Sequence, residues 1–161
     1  MWHLIKLFLC FIAATLLYWG CTALLGPAGI TVNILLVFSL AVCVFQPPVC
    51  GYLTAFICGL FLDFLGVRLF GHEAFLFTCC ALAVYSSKER FDYESELPQM
   101  VCVFVLGLLT AIGHIWLLEI VTGVFAWNGI LPLLAGVLLS SLVAPLIFKG
   151  VRRIFADKNQ I

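Results

Sequence analysis

Gly59-Leu60-Phe61-Leu62-Asp63-Phe64-Leu65-Gly66 places one carboxylate inside an apolar run that reaches back to Val49. An ionised carboxylate surrounded by hydrocarbon is costly unless it is paired, hydrated or protonated, so Asp63 is the first residue to which a site can be assigned. The run around it is a candidate membrane span. Composition agrees: with 65% hydrophobic and 10% charged residues over 161 positions, a water-soluble globule would expose large apolar patches.

A helix needs roughly 20 residues (about 17 to 25) to cross the hydrocarbon core. On that measure the apolar runs give six candidate spans, at about 4–25, 30–45, 49–65, 70–85, 101–121 and 130–147. The second, third and fourth are at the short end and are expected to be short or oblique helices. Gly26-Pro27 with Gly29, Gln46-Pro47-Pro48 and Trp127-Asn128-Gly129 separate them, all clusters that end helices or form turns. The connections are too short for a soluble domain, so 1–161 reads as a single integral membrane domain. The runs are continuous rather than alternating, which argues against a β-barrel. The expected fold is an all-α bundle of six transmembrane helices.

With the amino end in the cytoplasm, Lys6, Lys88, Arg90, Lys149, Arg152, Arg153 and Lys158 fall inside and Arg68 alone outside. The positive-inside rule then places both termini in the cytoplasm, with 148–161 as a basic cytoplasmic tail. That tail suits anionic lipid headgroups, at about 1 kcal/mol per basic residue. A formal net charge of zero gives no case for nucleic acid. Cys10, Cys21, Cys43, Cys50, Cys58, Cys79, Cys80 and Cys102 lie in or beside apolar runs and contain no C-x-x-C pair; they read as small hydrophobes. Bulky Tyr18 and Trp19 stand where a signal-peptide cleavage site needs small residues, so the first run is expected to be retained as a helix.

Gly51, Gly59 and Gly66 recur at seven- or eight-residue spacing, close to one helix face, where they let a neighbouring backbone approach. Asp63 then has three outlets: backbone hydrogens of the following turn, Arg68 across that turn, or a central cavity. Gly66-Val67-Arg68-Leu69-Phe70-Gly71-His72-Glu73 reads as a polar hairpin, either a lip that touches a partner or a satisfied turn. In the fifth run, His114 is placed near mid-membrane and Glu119 toward the outer face. Five residues apart, they are separated by roughly 140° and cannot pair directly. Either can meet Asp63 or Arg68 in the bundle. Ser86 to Gln99 mixes both charges and reads as a solvated loop whose Phe91 and Tyr93 can seat a cytoplasmic partner. No phosphate loop, H-E-x-x-H, G-x-S-x-G or acidic metal-spacing cluster occurs, so no enzyme activity, cofactor or metal is expected.

From Gly51 to Gly66, and on through Phe70-Gly71-His72-Glu73-Ala74, the chain resembles the bacterial rod shape-determining MreD family. Gly59, Asp63, Gly66 and Gly71 stand at the positions of that family's G-(apolar)3-D-(apolar)2 signature and the Gly-containing turn after it. Size and span layout agree over the whole chain, while Arg68 and Glu73 make the turn more charged than is usual there. The resemblance implies a six-helix fold similar to the S components of energy-coupling-factor transporters. It also implies a non-enzymatic member of the elongasome, in the bacterial inner membrane, that helps set cell shape and lateral peptidoglycan synthesis. The implied partners are a single-span MreC-like protein, with MreB filaments, RodA and a penicillin-binding synthase in the same assembly, and membrane lipids; a homo-oligomer stays open. The rival is a vitamin-binding S component itself. Against it, the A-x-x-x-A docking patch of those subunits is missing, since Ala13 and Ala14 are followed four residues on by Leu17 and Tyr18. A lipid-active enzyme is the third reading and requires Asp63, His114 and Glu119 to converge.

Overall fold

Residues 34–44 are apolar on every face except Ser39, and a helix of that kind has to be enclosed by others. In a computed structural model of the chain this segment is the central helix. The structure describes residues 2–66, 70–88, 90, 91, 93, 95–123 and 129–155, with the backbone alone for 2–4, 118 and 122. Among these residues the order is α1 (Trp2–Leu25), a 3-10 turn (Gly26–Ala28), α2 (Ile34–Phe45), α3 (Pro48–Leu65), α4 (His72–Ser87), α5 (Glu96–Thr122) and α6 (Ile130–Phe155). Every residue of α2 from Ile34 to Val44 is buried, with Ser39 Oγ donating to the Leu36 carbonyl at 2.8 Å. Around α2 pack α1, α3, α4 and α6, with α5 against α4 and α6.

Four stretches, Ile5–Ala28, Pro48–Leu65, Glu96–Val121 and Ile130–Phe155, are helices long and apolar enough to cross a membrane, the pattern of a multi-pass membrane protein. Large apolar side chains cover their outer faces, among them Phe8 and Leu16 on α1, Leu53 and Phe56 on α3, Leu109 on α5 and Leu142 on α6. The interior is held by Phe38, Phe77 and Phe148, all fully buried, and by edge-on aromatic pairs: Phe45 with Phe148 at 6.1 Å and Phe11 with Phe61 at 5.5 Å.

The helix limits depart most from the sequence expectation in three places, each for a local reason. The second span was expected from 30, but residues 30–33 are not helical. There the Asn33 side chain accepts from the Leu36 N–H at 3.1 Å, which starts α2 at Ile34. The fifth begins at Glu96 rather than 101, because Pro98 falls in the first turn, where no helical N–H is required of it. The sixth continues through Phe155, so Lys149, Arg152 and Arg153, assigned from sequence to a tail at 148–161, ride on its last turns. Lys158 and residues 127 and 128 of the Trp-Asn-Gly turn lie outside the described residues.

One end of the bundle gathers the described basic residues. Lys6 Nζ donates to the Ile154 carbonyl at 3.4 Å, so the start of α1 and the finish of α6 are neighbours. Lys149 pairs with Glu96 at 2.6 Å, an exposed pair worth little energy but diagnostic of which helix ends lie together. Tyr85, near the finish of α4, donates toward the carbonyls of Gln46 and Pro47 at 3.2 Å each, at the α2–α3 corner of the same end.

Candidate functional site

At the opposite end, α4 begins without a cap of its own. The first N–H groups of a helix lack internal partners, and the residue before α4 is Gly71, which has no side chain and takes φ +95° to turn the chain. The acceptor comes from α3. Asp63 Oδ1 accepts from the Glu73 N–H and Oδ2 from the Ala74 N–H, both at 3.0 Å. The carboxylate is buried to 3% exposure, and the positive end of the α4 dipole faces it.

Reach of this kind requires α3 and α4 to be almost in backbone contact, and Gly59 provides it. A Cβ at position 59 would stand 2.5 Å from Ala74 Cα and 2.6 Å from both Ala74 N and the Glu73 carbonyl oxygen. Gly59 and Asp63 are four residues apart and share a face. Glycine admits the neighbouring helix, and the carboxylate one turn on caps it. Gly51, two turns back, leaves room on α3 for the Tyr85 hydroxyl in the same way. Gly66 has a different role: it closes α3, donating its N–H to the Leu62 carbonyl at 2.8 Å.

Two histidines and a glutamate adjoin this cap. His72, which the sequence reading places where the hairpin and the fourth span overlap, is the first residue of α4 and lies with Nδ1 3.1 Å from Asp63 Oδ1. Its Nε2 is 2.8 Å from His114 Nδ1 and 3.4 Å from Glu73 Oε1. His114 Nδ1 is in turn 3.0 Å from Glu73 Oε1. His114 comes from α5 and is level with the first turn of α4, so it belongs to this end of the bundle rather than to mid-span. It meets Asp63 only through His72. Glu119 is exposed on another face of α5 and joins no ion pair among the described residues. Arg68, the remaining charged candidate, lies outside the described residues.

The cluster borders a cavity of about 440 Å³ whose other walls include Tyr18, Asn33, Thr110 and Ser140. The non-helical stretch before α2 forms one side of it, fixed by the Asn33 N–H donating to Ser140 Oγ at 3.0 Å. Gly136 of α6 leaves space for the Thr31 carbonyl, which a Cβ there would strike. Irregular backbone at membrane depth is tolerated where it lines such a space.

The sequence singled out Asp63, His72, Glu73 and His114 but did not join them, because His114 is more than forty residues from the other two cluster members. No metal was expected on the same ground, yet His72, Glu73 and His114 bring one ligand atom each within 4.8 Å of one another. Asn33 and Ser140 went unremarked; an Asn just before a long apolar run was the one available signal, as a helix cap. The eight cysteines are free thiols, three of them buried. No family model, curated protein or solved structure matches the chain.

Proposed function

We propose that this chain is a non-enzymatic scaffold of the bacterial rod complex, a six-span MreD-like protein of the inner membrane with both termini in the cytoplasm. It holds a single-span MreC-like partner and so helps organise cell shape and lateral peptidoglycan synthesis. The observation that carries the reading is the α3–α4 joint. The residues that resemble the family signature, Gly59 and Asp63, are those that bring these two helices together and cap one with the other. On this view the signature builds a rigid corner rather than a reactive centre. Short α2 and α4 complete the six spans, and the similarity to transporter S components is one of helix number and layout.

The partner's helix docks on the outer faces of the early helices, where Phe8, Ile12 and Leu16 on α1 and Leu53, Phe56 and Ile57 on α3 are exposed. A photo-crosslinking residue at position 53 or 56 is expected to capture one single-span protein with a coiled-coil segment, while the same residue at 138 or 142 on α6 captures none. Silence at 53 and 56 in cells that grow as rods would remove the docking surface.

One observation favours the rival reading. The cavity of about 440 Å³ with Asn33, Thr110 and Ser140 in its walls is a receptacle of the kind a vitamin-binding S component needs. Recovery of ATPase subunits after affinity purification in mild detergent would support that reading in place of the scaffold.

A further inference from the structure

We infer that His72, Glu73 and His114 form a site for one divalent transition-metal ion of the zinc class, with Asp63 orienting His72 from behind. The proposal is independent of the scaffold reading and needs only the geometry at the start of α4.

Three atoms converge. His72 Nε2, His114 Nδ1 and Glu73 Oε1 are separated by 2.8, 3.0 and 3.4 Å. Ligand bonds of about 2.0 to 2.2 Å that meet at roughly 85 to 110° produce donor separations of this size, the angles of an octahedral or a distorted tetrahedral site. Two imidazoles and one carboxylate suit zinc, iron or nickel, whereas magnesium and calcium favour oxygen throughout.

Hydrogen counting points the same way. Asp63 already accepts two backbone hydrogens, so the 3.1 Å contact with His72 Nδ1 places the hydrogen on that nitrogen and leaves Nε2 with a lone pair. Glu73 Oε1 is an acceptor as well. A cation at the centre would take one lone pair from each of the three converging atoms. A divalent ion would also offset the negative charge of the Glu73 carboxylate it binds and of Asp63 behind His72. A carboxylate behind a metal-bound histidine fixes its tautomer and its ring orientation.

The ion would join α4 to α5, and its remaining coordination positions border the cavity, open to water or to an oxygen of a guest. The test uses full-length protein in mild detergent, with the affinity tag cleaved and bound metal stripped by a chelator. Titration with zinc chloride is expected to show one ion per chain and a raised unfolding temperature. Cobalt(II) is expected to give visible d–d bands without the near-ultraviolet thiolate band that the exposed Cys50 or Cys79 would produce. His114→Ala, at a partly exposed position on α5, and Glu73→Gln should each weaken binding by about 100-fold or more; Asp63→Asn, which touches no ion, should weaken it by roughly 10- to 100-fold. Wild-type protein that takes up no stoichiometric metal, or a folded His114→Ala protein that binds as tightly as wild type, overturns the proposal. A thiolate band that persists in His114→Ala overturns it too, by assigning the metal to cysteine. The cobalt spectrum of wild type stands even if a variant fails to fold.

Discussion

At residue scale, Gly59 and Asp63 act as a pair: one removes an obstacle and the other fills a need. Gly59→Ala drives a methyl group into the Ala74 backbone, which cannot turn aside as a side chain can. It is expected to destabilise the protein by about 1–3 kcal/mol. Asp63→Leu leaves one buried and one part-buried N–H group without acceptors and is expected to lower stability by roughly 2–5 kcal/mol. Asp63→Asn keeps one carbonyl oxygen and should fall between Leu and wild type. Unfolding in mixed micelles checks the order, and equal losses for Leu and Asn would contradict the capping role. Part of this was legible beforehand. A lone carboxylate in an apolar run announces itself, and backbone hydrogens of the next turn were among its three outlets. Which outlet it takes was not legible, because that depends on where α4 starts: at His72 the first free N–H groups fall within reach of Asp63, and at Phe70 they would not. The cluster with His114 was hidden for a plainer reason, since spacing along the chain carries no information about two helices meeting.

At element scale, each of the six expected runs carries a helix, and four of these helices are long and apolar enough to cross a membrane. The ends were less legible. They are decided by single polar contacts such as Asn33 with Leu36, which hydropathy averages away. The connection from α4 to α5 has its own internal order. Tyr93 is buried, its hydroxyl 2.8 Å from Ser87 Oγ, and its carbonyl accepts from Gln99 Nε2 at 2.7 Å. Burial pushes the Tyr93 phenol above its ordinary range, and the Ser87 contact offsets only part of that shift. A raised folded-state value means that the neutral form is favoured by folding. The contribution is complete below about pH 10, the unfolded value, and is lost as pH climbs toward the higher folded one. Stability measured from pH 8 to 11 should fall more steeply in wild type than in Tyr93→Phe. Parallel curves would show that the phenol does not titrate with folding.

At the scale of the whole molecule, the contact between Lys6 and Ile154 brings the start of the first helix beside the finish of the last. Reporter fusions at the two termini are expected to report one compartment, the cytoplasm; opposite compartments would remove the six-span arrangement. That expectation comes from charge asymmetry alone and needs no tertiary knowledge, whereas the enclosure of α2 needed all of it. At 12 residues, α2 is only about 18 Å long against a hydrocarbon core of about 30 Å. Its approach segment is tied to Ser140 and nestles where Gly136 has no side chain, and both belong to α6. A ribosome delivers α6 well after α2. Until it arrives, α2 has neither its full covering nor an acceptor for the Asn33 amide, so a nascent chain stopped before α6 carries an unfinished groove.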